Sequence, residues 1–281
     1  MATNLLEAIC NLIDINFQTS GVSKGLNKMN RQGDPLEKFV QDAFCPVEEN
    51  LDIQTAQKLR ATCFSYLGNQ NNPPDFMIRR GDAVEVKKIE GKVGRIALNS
   101  SHPKQKLKST SRMITEACRK AEVWSEKDNL YVVGEILPDK AIQHLWFVYG
   151  DCYSAQEETY ESIRAIIRKG VRDLELDLAE TRELGRVNAV DPLGITNLRI
   201  RGMWDIAGPR EVFQGLYPPI DSKPSIFAVM RREKYDGFPE SSRLRLENLS
   251  DRGVAKKLTQ VRSPDNPAQL LDAVVINWTG R

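Results

Sequence analysis

Histidine is scarce in this chain and cysteine is scattered. The two histidines, His102 and His144, and the five cysteines, Cys10, Cys45, Cys63, Cys118 and Cys152, form no CxxC pair and no Cys/His grouping. That excludes a structural zinc site of the usual spacing. An odd number of widely separated cysteines also gives no disulfide framework, so the five read as reduced, buried small residues of a cytoplasmic protein. No apolar run approaches the roughly 20 residues needed to span a membrane, and no membrane partner is expected. The opening stretch NLLEAICNLIDINF carries Glu7 and Asp14 and lacks a basic start and a cleavage site, so it is not a secretory signal. Excess charge is lacking too: the net charge is +2. That permits nucleic-acid binding without indicating it, and local patches must carry the argument.

The chain has 281 residues, 41% hydrophobic and 28% charged, which reads as globular and as a single domain spanning 1–281. Asn4 and Glu7 have the spacing of a capping box at the start of an amphipathic helix. After a polar loop at 18–35, Leu36, Phe39, Val40, Ala43 and Phe44 recur at helical spacing and predict a helix at 36–44, with Glu37 off the apolar stripe. A third helix is predicted at 53–63, and GNQNNPPD then breaks structure. Two apolar stretches, 76–78 and 83–89, flank Arg79, Arg80, Gly81 and Asp82 and predict a hairpin. A helix at 109–125, strands at 129–136 and 144–149 and a helix at 156–170 follow. NLRIRGMW, SIFAVM and AVVINW read as later strands. This order predicts an α/β fold, a central mixed sheet flanked by helices.

Within AVEVKKI, extended side chains alternate, so Val84 and Val86 face one way and Glu85 and Lys87 the other. Pro74-Asp75 stands at the entry to the first hairpin strand, and the nine residues before Glu85 fold Asp75 back beside it. These residue types suit phosphodiester hydrolysis. Two carboxylates hold Mg²⁺, which prefers oxygen ligands, and an ammonium orients or deprotonates the attacking water and offsets developing charge. A bare E-x-K triplet is weak, and Glu90-Gly91-Lys92 is a decoy whose glycine makes a poor strand. Pro138-Asp139 and Pro264-Asp265 lack a following E-x-K. The plain alternative is a solvated strand face with Asp75 as a turn former.

The spacing Pro74-Asp75 then Glu85-Val86-Lys87 resembles the PD-(D/E)XK nuclease signature. The longer words FSYLGNQNNPPD, GDAVEVKKIE, ALNSSHPKQKL and RVNAVDPLGITNLRIRGMW resemble type II restriction endonucleases of the NgoPII family. The resemblance covers roughly residues 30–210, and residues from about 231 to 281 read as a C-terminal extension. It implies a restriction-endonuclease-like core and a Mg²⁺-dependent, sequence-specific endonuclease of a restriction-modification system. The substrate would be double-stranded DNA at a short palindrome, GGCC, with 5′-phosphate products. By position, it makes Asp75, Glu85 and the backbone carbonyl of Val86 metal ligands and Lys87 the catalytic lysine. Glu37, on the helix before the hairpin, is where such folds place an extra acid; a solvent-facing helix residue is the equal alternative. A palindromic site implies a homodimer. A cognate methyltransferase would act on the same site without binding this chain.

For DNA contacts, Asn197, Arg199 and Arg201 share one face of NLRIRGMW, with Leu198 and Ile200 on the face expected to pack inward. Arginine reads guanine O6 and N7 in a bidentate contact, which suits a G·C target; a charge-defended edge strand is the alternative. Asn99, Ser100, His102, Lys104 and Lys106 supply short hydrogen-bonding groups among lysines, suited to phosphate positioning. Arg186 and Asn188 are further candidates, positioned by a turn at 191–194. His144 falls in an apolar strand and reads as structural. The aromatic residues do not suggest a stacking platform for single strands. Two other readings stay open: a repair or junction-resolving nuclease of the same fold, and a non-catalytic DNA-binding protein.

Overall fold

Apolar periodicity sets the first helices of the structure, a computed structural model that describes residues 3–15, 35–48, 51–69, 71–90, 94–137, 141–172, 185–187, 190–219 and 223–280. In α1 (Leu5–Asp14), Leu5, Leu6, Ile9, Leu12 and Ile13 are buried. Asn4 Oδ1 caps it by accepting from the N–H groups of Leu6 (2.9 Å) and Glu7 (3.2 Å). α2 (Pro35–Phe44) has proline at its first position, where no N–H is needed, and buries Leu36, Val40, Ala43 and Phe44. α3 (Ile53–Cys63) is capped by Asp52, which accepts from Thr55 N at 3.0 Å. α1 and α2 match the apolar periodicity, whereas α3 lies where a helix is predicted but buries only Cys63. The polar loop foreseen at 18–35 lies almost wholly outside the described residues.

The strands follow. β1 (Phe64–Asn69), β2 (Asn72–Ile78) and β3 (Ala83–Glu90) form an antiparallel meander; β4 (Arg95–Asn99) and β5 (Lys106–Lys108) come next. Past α4 (Glu116–Lys120) lie β6 (Glu126–Ile136), β7 (Ile142–Tyr149) and α5 (Glu157–Arg172). Then come β8 (Gly185–Val187), β9 (Leu198–Ile200), β10 (Trp204–Ala207), α6 (Pro209–Val212) and β11 (Ser225–Arg231). α7 (Arg232–Asp236), α8 (Glu240–Glu247), β12 (Val254–Arg262) and β13 (Leu270–Thr279) close the chain. One nine-stranded sheet runs β1-β2-β3-β6-β7-β11-β13-β12, with β5 attached to β6. The β3–β6 and β7–β11 pairs are parallel and the other pairs antiparallel, so the sheet is mixed.

Alternation sorts the central strands into two cores. Val84, Leu130, Val132, Phe147, Ala228, Val274 and Ile276 face the layer of α1, α2 and α8. Tyr131, Val133, Trp146, Val148, Phe227, Val229 and Val275 face the opposite side, under Ile96 and Phe213. Strands buried on both faces read as continuous apolar runs, which is how NLYVVGEI, HLWFVY and SIFAVM look in sequence. The 231–281 segment is part of this framework: β13 lies between β11 and β12 and buries Val274, Val275 and Ile276.

Three predicted elements differ. The helix foreseen at 109–125 shrinks to the five residues of α4. Ser109 N–H instead pairs with Ser125 O (2.8 Å), Ser111 Oγ accepts from Lys108 N (3.3 Å), and Thr115 caps at Cys118 N (3.1 Å). Serine and threonine compete for backbone groups in this way and oppose helix propagation. GNQNNPPD does not break the sheet but supplies the end of β1 and the start of β2. NLRIRGMW splits into β9 and β10, which pair with β8 and β4 away from the main sheet, and Leu198 is 48% exposed rather than packed inward.

Candidate active site

The β2–β3 hairpin is pinned at its turn. Ile78 N–H donates to Asp82 O (2.9 Å) and Gly81 N–H to Ile78 O (3.0 Å), while Arg80 takes the left-handed conformation at φ 57°. The buried Asp82 carboxylate accepts from Tyr149 Oη (2.6 Å) and from Lys234 Nζ (2.5 Å). Lys127 Nζ donates to the carbonyls of Ile78 (3.2 Å) and Gly81 (2.7 Å). With that turn fixed, Phe76 pairs with Val84 and Met77 with Ala83, and the next step of the register sets Asp75 beside Glu85.

Asp75, Glu85 and Lys87 meet at one end of this hairpin. Asp75 Oδ2 accepts from Val86 N–H at 2.6 Å. Lys87 Nζ lies 3.0 Å from Glu85 Oε2 and 3.8 Å from Asp75 Oδ2. Burial and the neighbouring Glu85 charge push the Asp75 carboxyl up to about 7, against the pull of Lys87 and the Val86 N–H. Burial alone would lower Lys87, but the Glu85 and Asp75 carboxylates outweigh it and hold the ammonium above the usual lysine range. Lys87 is therefore a charged donor in the metal-free site. Glu37 on α2 is half-buried, accepts from Gln41 Nε2 (2.9 Å), and acts electrostatically on both Asp75 and Lys87.

All three residues line a cleft of about 470 Å³, together with Asn99, Ser100, His102, Lys104 and Arg201. Of the other predicted contacts, Lys106 pairs with Glu126 at 2.6 Å on the β5–β6 edge and is not among the cleft residues. Asn197 and Arg199 are exposed on the β8–β9 ribbon, where Arg199 stands opposite Arg186 in the register. Asn188 lies outside the described residues, as does the side chain of Arg186. The turn foreseen at 191–194 is present: Gly194 N–H donates to Asp191 O (2.8 Å), with Gly194 at φ 67°. His144 is buried in β7, its Nδ1 2.7 Å from Ser225 Oγ. All five cysteines are buried and free.

The cleft also holds residues that sequence reasoning missed. β6 runs parallel to β3 with Glu85 opposite Tyr131 and Ala83 opposite Asn129, so Asn129 and Tyr131 floor the cleft. The signal was present: in NLYVVGEI the polar Asn129 alternates with Leu130 just as Glu85 does with Val84. Tyr131 Oη accepts from Lys104 N–H at 2.7 Å. Asn129 is 1% exposed, and neither its Nδ2 nor its Oδ1 has a hydrogen-bond partner among the described residues. Tyr160, Glu161 and Arg164 of α5 enter at i, i+1 and i+4 spacing. His102 stacks on Tyr160 (centroids 5.0 Å apart, 14° between planes), and Trp204 meets Tyr160 edge-on at 5.4 Å. Tyr160 and Trp204, which suggest no platform in sequence, thus form one wall of the cleft with His102. Burial and the Lys104 charge hold His102 below its usual pKa, and burial lowers Lys104 against the nearby Glu85, Glu157 and Glu161.

Two acids on one cleft wall suit a hard cation. No group of three or more His, Cys, Asp or Glu side chains among the described residues has metal-holding geometry. Magnesium needs less, one or two carboxylates with waters completing its shell. Asp75 and Glu85 supply that oxygen pair, burial and then the Glu85 charge already raise Asp75, and Val86 O is on the same strand as Glu85. The donor set fits Mg²⁺ and not a soft, thiolate-preferring metal.

Paired carboxylates and a lysine in a polar cleft of a mixed α/β fold suit phosphodiester hydrolysis, and the comparisons give the family. The model of the NgoPII restriction endonuclease family matches residues 3–262. The type II restriction enzyme NgoPII of Neisseria gonorrhoeae is 41% identical over 282 residues, covering 98% of this chain and 99% of that protein. No solved structure matches the chain. The protein is thus a type II site-specific deoxyribonuclease of a restriction-modification system, with double-stranded DNA as its substrate. It belongs to the NgoPII restriction endonuclease family. The likeness extends well past the 30–210 span legible in its motifs, through β12 at least. No helix among the described residues is long and apolar enough to cross a membrane.

Proposed function

We propose that the chain acts as one catalytic unit with a PD-(D/E)XK core, a cytoplasmic Mg²⁺-dependent endonuclease that cuts DNA at GGCC and leaves 5′-phosphates. The observation that carries this is the meeting of Asp75, Glu85 and Lys87 in one cleft, with Lys87 Nζ 3.0 Å from Glu85 Oε2. Asp75, Glu85 and the Val86 carbonyl would hold the metal, and Glu37 adds negative charge at its edge. When bound, Mg²⁺ polarises the phosphate and lowers the pKa of a coordinated water. Asp75 is oriented by the Val86 N–H at Oδ2, which leaves Oδ1 for a ligand. Lys87, kept protonated by two acids, acts as a donor rather than a base: it orients the attacking water and offsets charge developing on the phosphate.

Asn99, Ser100, His102, Lys104 and Arg201 then contact the strand inside the cleft. Lys106, Arg186, Asn188, Asn197 and Arg199 would follow the duplex outside it, mostly through phosphates. A homodimer matches the two-fold symmetry of a palindrome. The cognate methyltransferase shares the sequence but not a complex. Digestion of a supercoiled plasmid with Mg²⁺, followed by run-off sequencing, tests this reading. Discrete fragments with every break at GGCC support it; structure-dependent nicking favours a repair-type nuclease, and intact plasmid overturns the catalytic reading.

A further inference from the structure

Asn129 stands on the floor of the cleft and lacks what a buried amide requires. It is 1% exposed, and neither Nδ2 nor Oδ1 has a hydrogen-bond partner among the described residues. Buried side-chain polar groups are nearly always paired, because the water lost on burial must be replaced. Among the described residues, Asn129 is alone in leaving two buried polar atoms of one side chain unpaired. Its neighbours on the cleft floor are engaged: Asp75 by Val86 N–H, Glu85 by Lys87, and Tyr131 Oη by Lys104 N–H. On β3 the residue in register with Asn129 is Ala83, which is completely buried in an apolar cluster with Met77, Leu107 and Ile114 and offers no polar group. The Asn129 backbone N–H already donates to Gln105 O (3.0 Å). The cleft is therefore the side from which a partner for the amide comes. Residues paired in a parallel ladder share a face, so Asn129 lies on the face of Glu85, one strand over and about 7 Å further along.

We propose that Asn129 is a further catalytic residue, its Nδ2 donating to a non-bridging oxygen of the phosphodiester seated over Asp75 and Glu85. The inference deepens the nuclease reading and rests on it. In the free cleft the lining covers the amide, so the contact forms as substrate enters and neighbouring side chains shift, a common response at binding surfaces. A donor unpaired in the free enzyme and paired in the loaded one favours the loaded state. It favours the transition state most, because negative charge on the phosphate oxygens grows there. A neutral amide adds this stabilisation beside the Lys87 ammonium without a further proton to titrate. Stability and activity thus pull in opposite directions at position 129.

Asn129→Leu and Asn129→Asp, both close in size to asparagine, test this in the full-length enzyme on a duplex that wild type cuts. Asn129→Leu removes the unpaired amide and is expected to melt at or above the wild-type Tm. Its single-turnover cleavage with Mg²⁺ is expected to fall by about 10²–10³-fold, the loss typical of one oxyanion donor, with duplex affinity without Mg²⁺ within a few-fold of wild type. Asn129→Asp keeps an acceptor but no donor and loses at least as much. Duplexes carrying sulfur in place of either non-bridging oxygen of the scissile phosphate give a readout that a packing role does not move. One diastereomer slows wild type and slows Asn129→Leu much less, so the two losses do not add. The inference is overturned by additive losses with both diastereomers, by a wild-type cleavage rate in Asn129→Asp, or by a Tm lowered in both variants, which marks an amide that serves the fold through a buried water. If Lys87→Ala cuts the same duplex as fast as wild type, the nuclease reading fails and this inference with it. If Lys87→Ala is crippled and Asn129→Leu is not, this inference alone fails.

Discussion

At the scale of single residues, the site is held in electrostatic tension. Asp75 is buried beside Glu85, so its folded-state pKa of about 7 lies above its value in the unfolded chain. For an acid raised in this way, the stability it contributes is complete below the unfolded pKa, near 4, and is lost as pH rises through 7. Metal-free Asp75→Asn is therefore expected to melt about 2–6 °C above wild type at pH 8, with the difference shrinking at pH 5 and vanishing near pH 4. Differential scanning calorimetry in a chelator reads this, and a pH-independent difference would contradict it. Mg²⁺ should raise the wild-type Tm at pH 8 and leave that of Asp75→Asn nearly unmoved. The Asp75, Glu85 and Lys87 constellation was legible in sequence because it rests on two local rules, strand alternation and hairpin length. Asn129 and Tyr131 obey the same alternation, but their place in the site depends on β3 pairing with β6 (parallel, and 40-odd residues apart in the chain), a long-range choice no local pattern states.

At the scale of elements, the hairpin is kept in register by a close backbone approach. A Cβ at Gly68 would fall 2.3 Å from Pro74 O and 2.7 Å from Asp75 O, so only glycine lets β1 run past the residue that presents the carboxylate. Gly68→Ala must push β2 aside at Asp75 itself. The expected cost is about 1–3 kcal/mol of stability. Cleavage should fall by about 100-fold, since displacing a reacting group by 1 Å is enough for that. Urea unfolding and single-turnover cleavage check both, and an active, fully stable Gly68→Ala would show that β1 does not position Asp75. The long amphipathic helices and apolar strands were readable because burial imposes their period. α4 was overestimated because the serines and threonines of 109–115 bind backbone groups locally, and β9 and β10 were merged because the turn between them carries no proline or paired glycine to mark it.

At the scale of the whole molecule, nine strands form one framework, and the site sits where β2, β3 and β6 meet the β4–β10 ribbon and α5. The sheet was legible as a mixed α/β arrangement and AVVINW as a strand, yet the 231–281 segment read as an appendage because its charged, broken sequence hides β12, which is exposed along much of its length. That framework holds a charged lysine against two acids, which makes sense in a protein of this family if those groups hold metal and substrate. The most direct test compares wild type with Lys87→Ala under single-turnover conditions with Mg²⁺, while duplex binding is measured on the same preparations. The account predicts a cleavage rate lower by about 10²–10⁴-fold with duplex affinity within a few-fold of wild type. Cleavage by Lys87→Ala at an undiminished rate would contradict it.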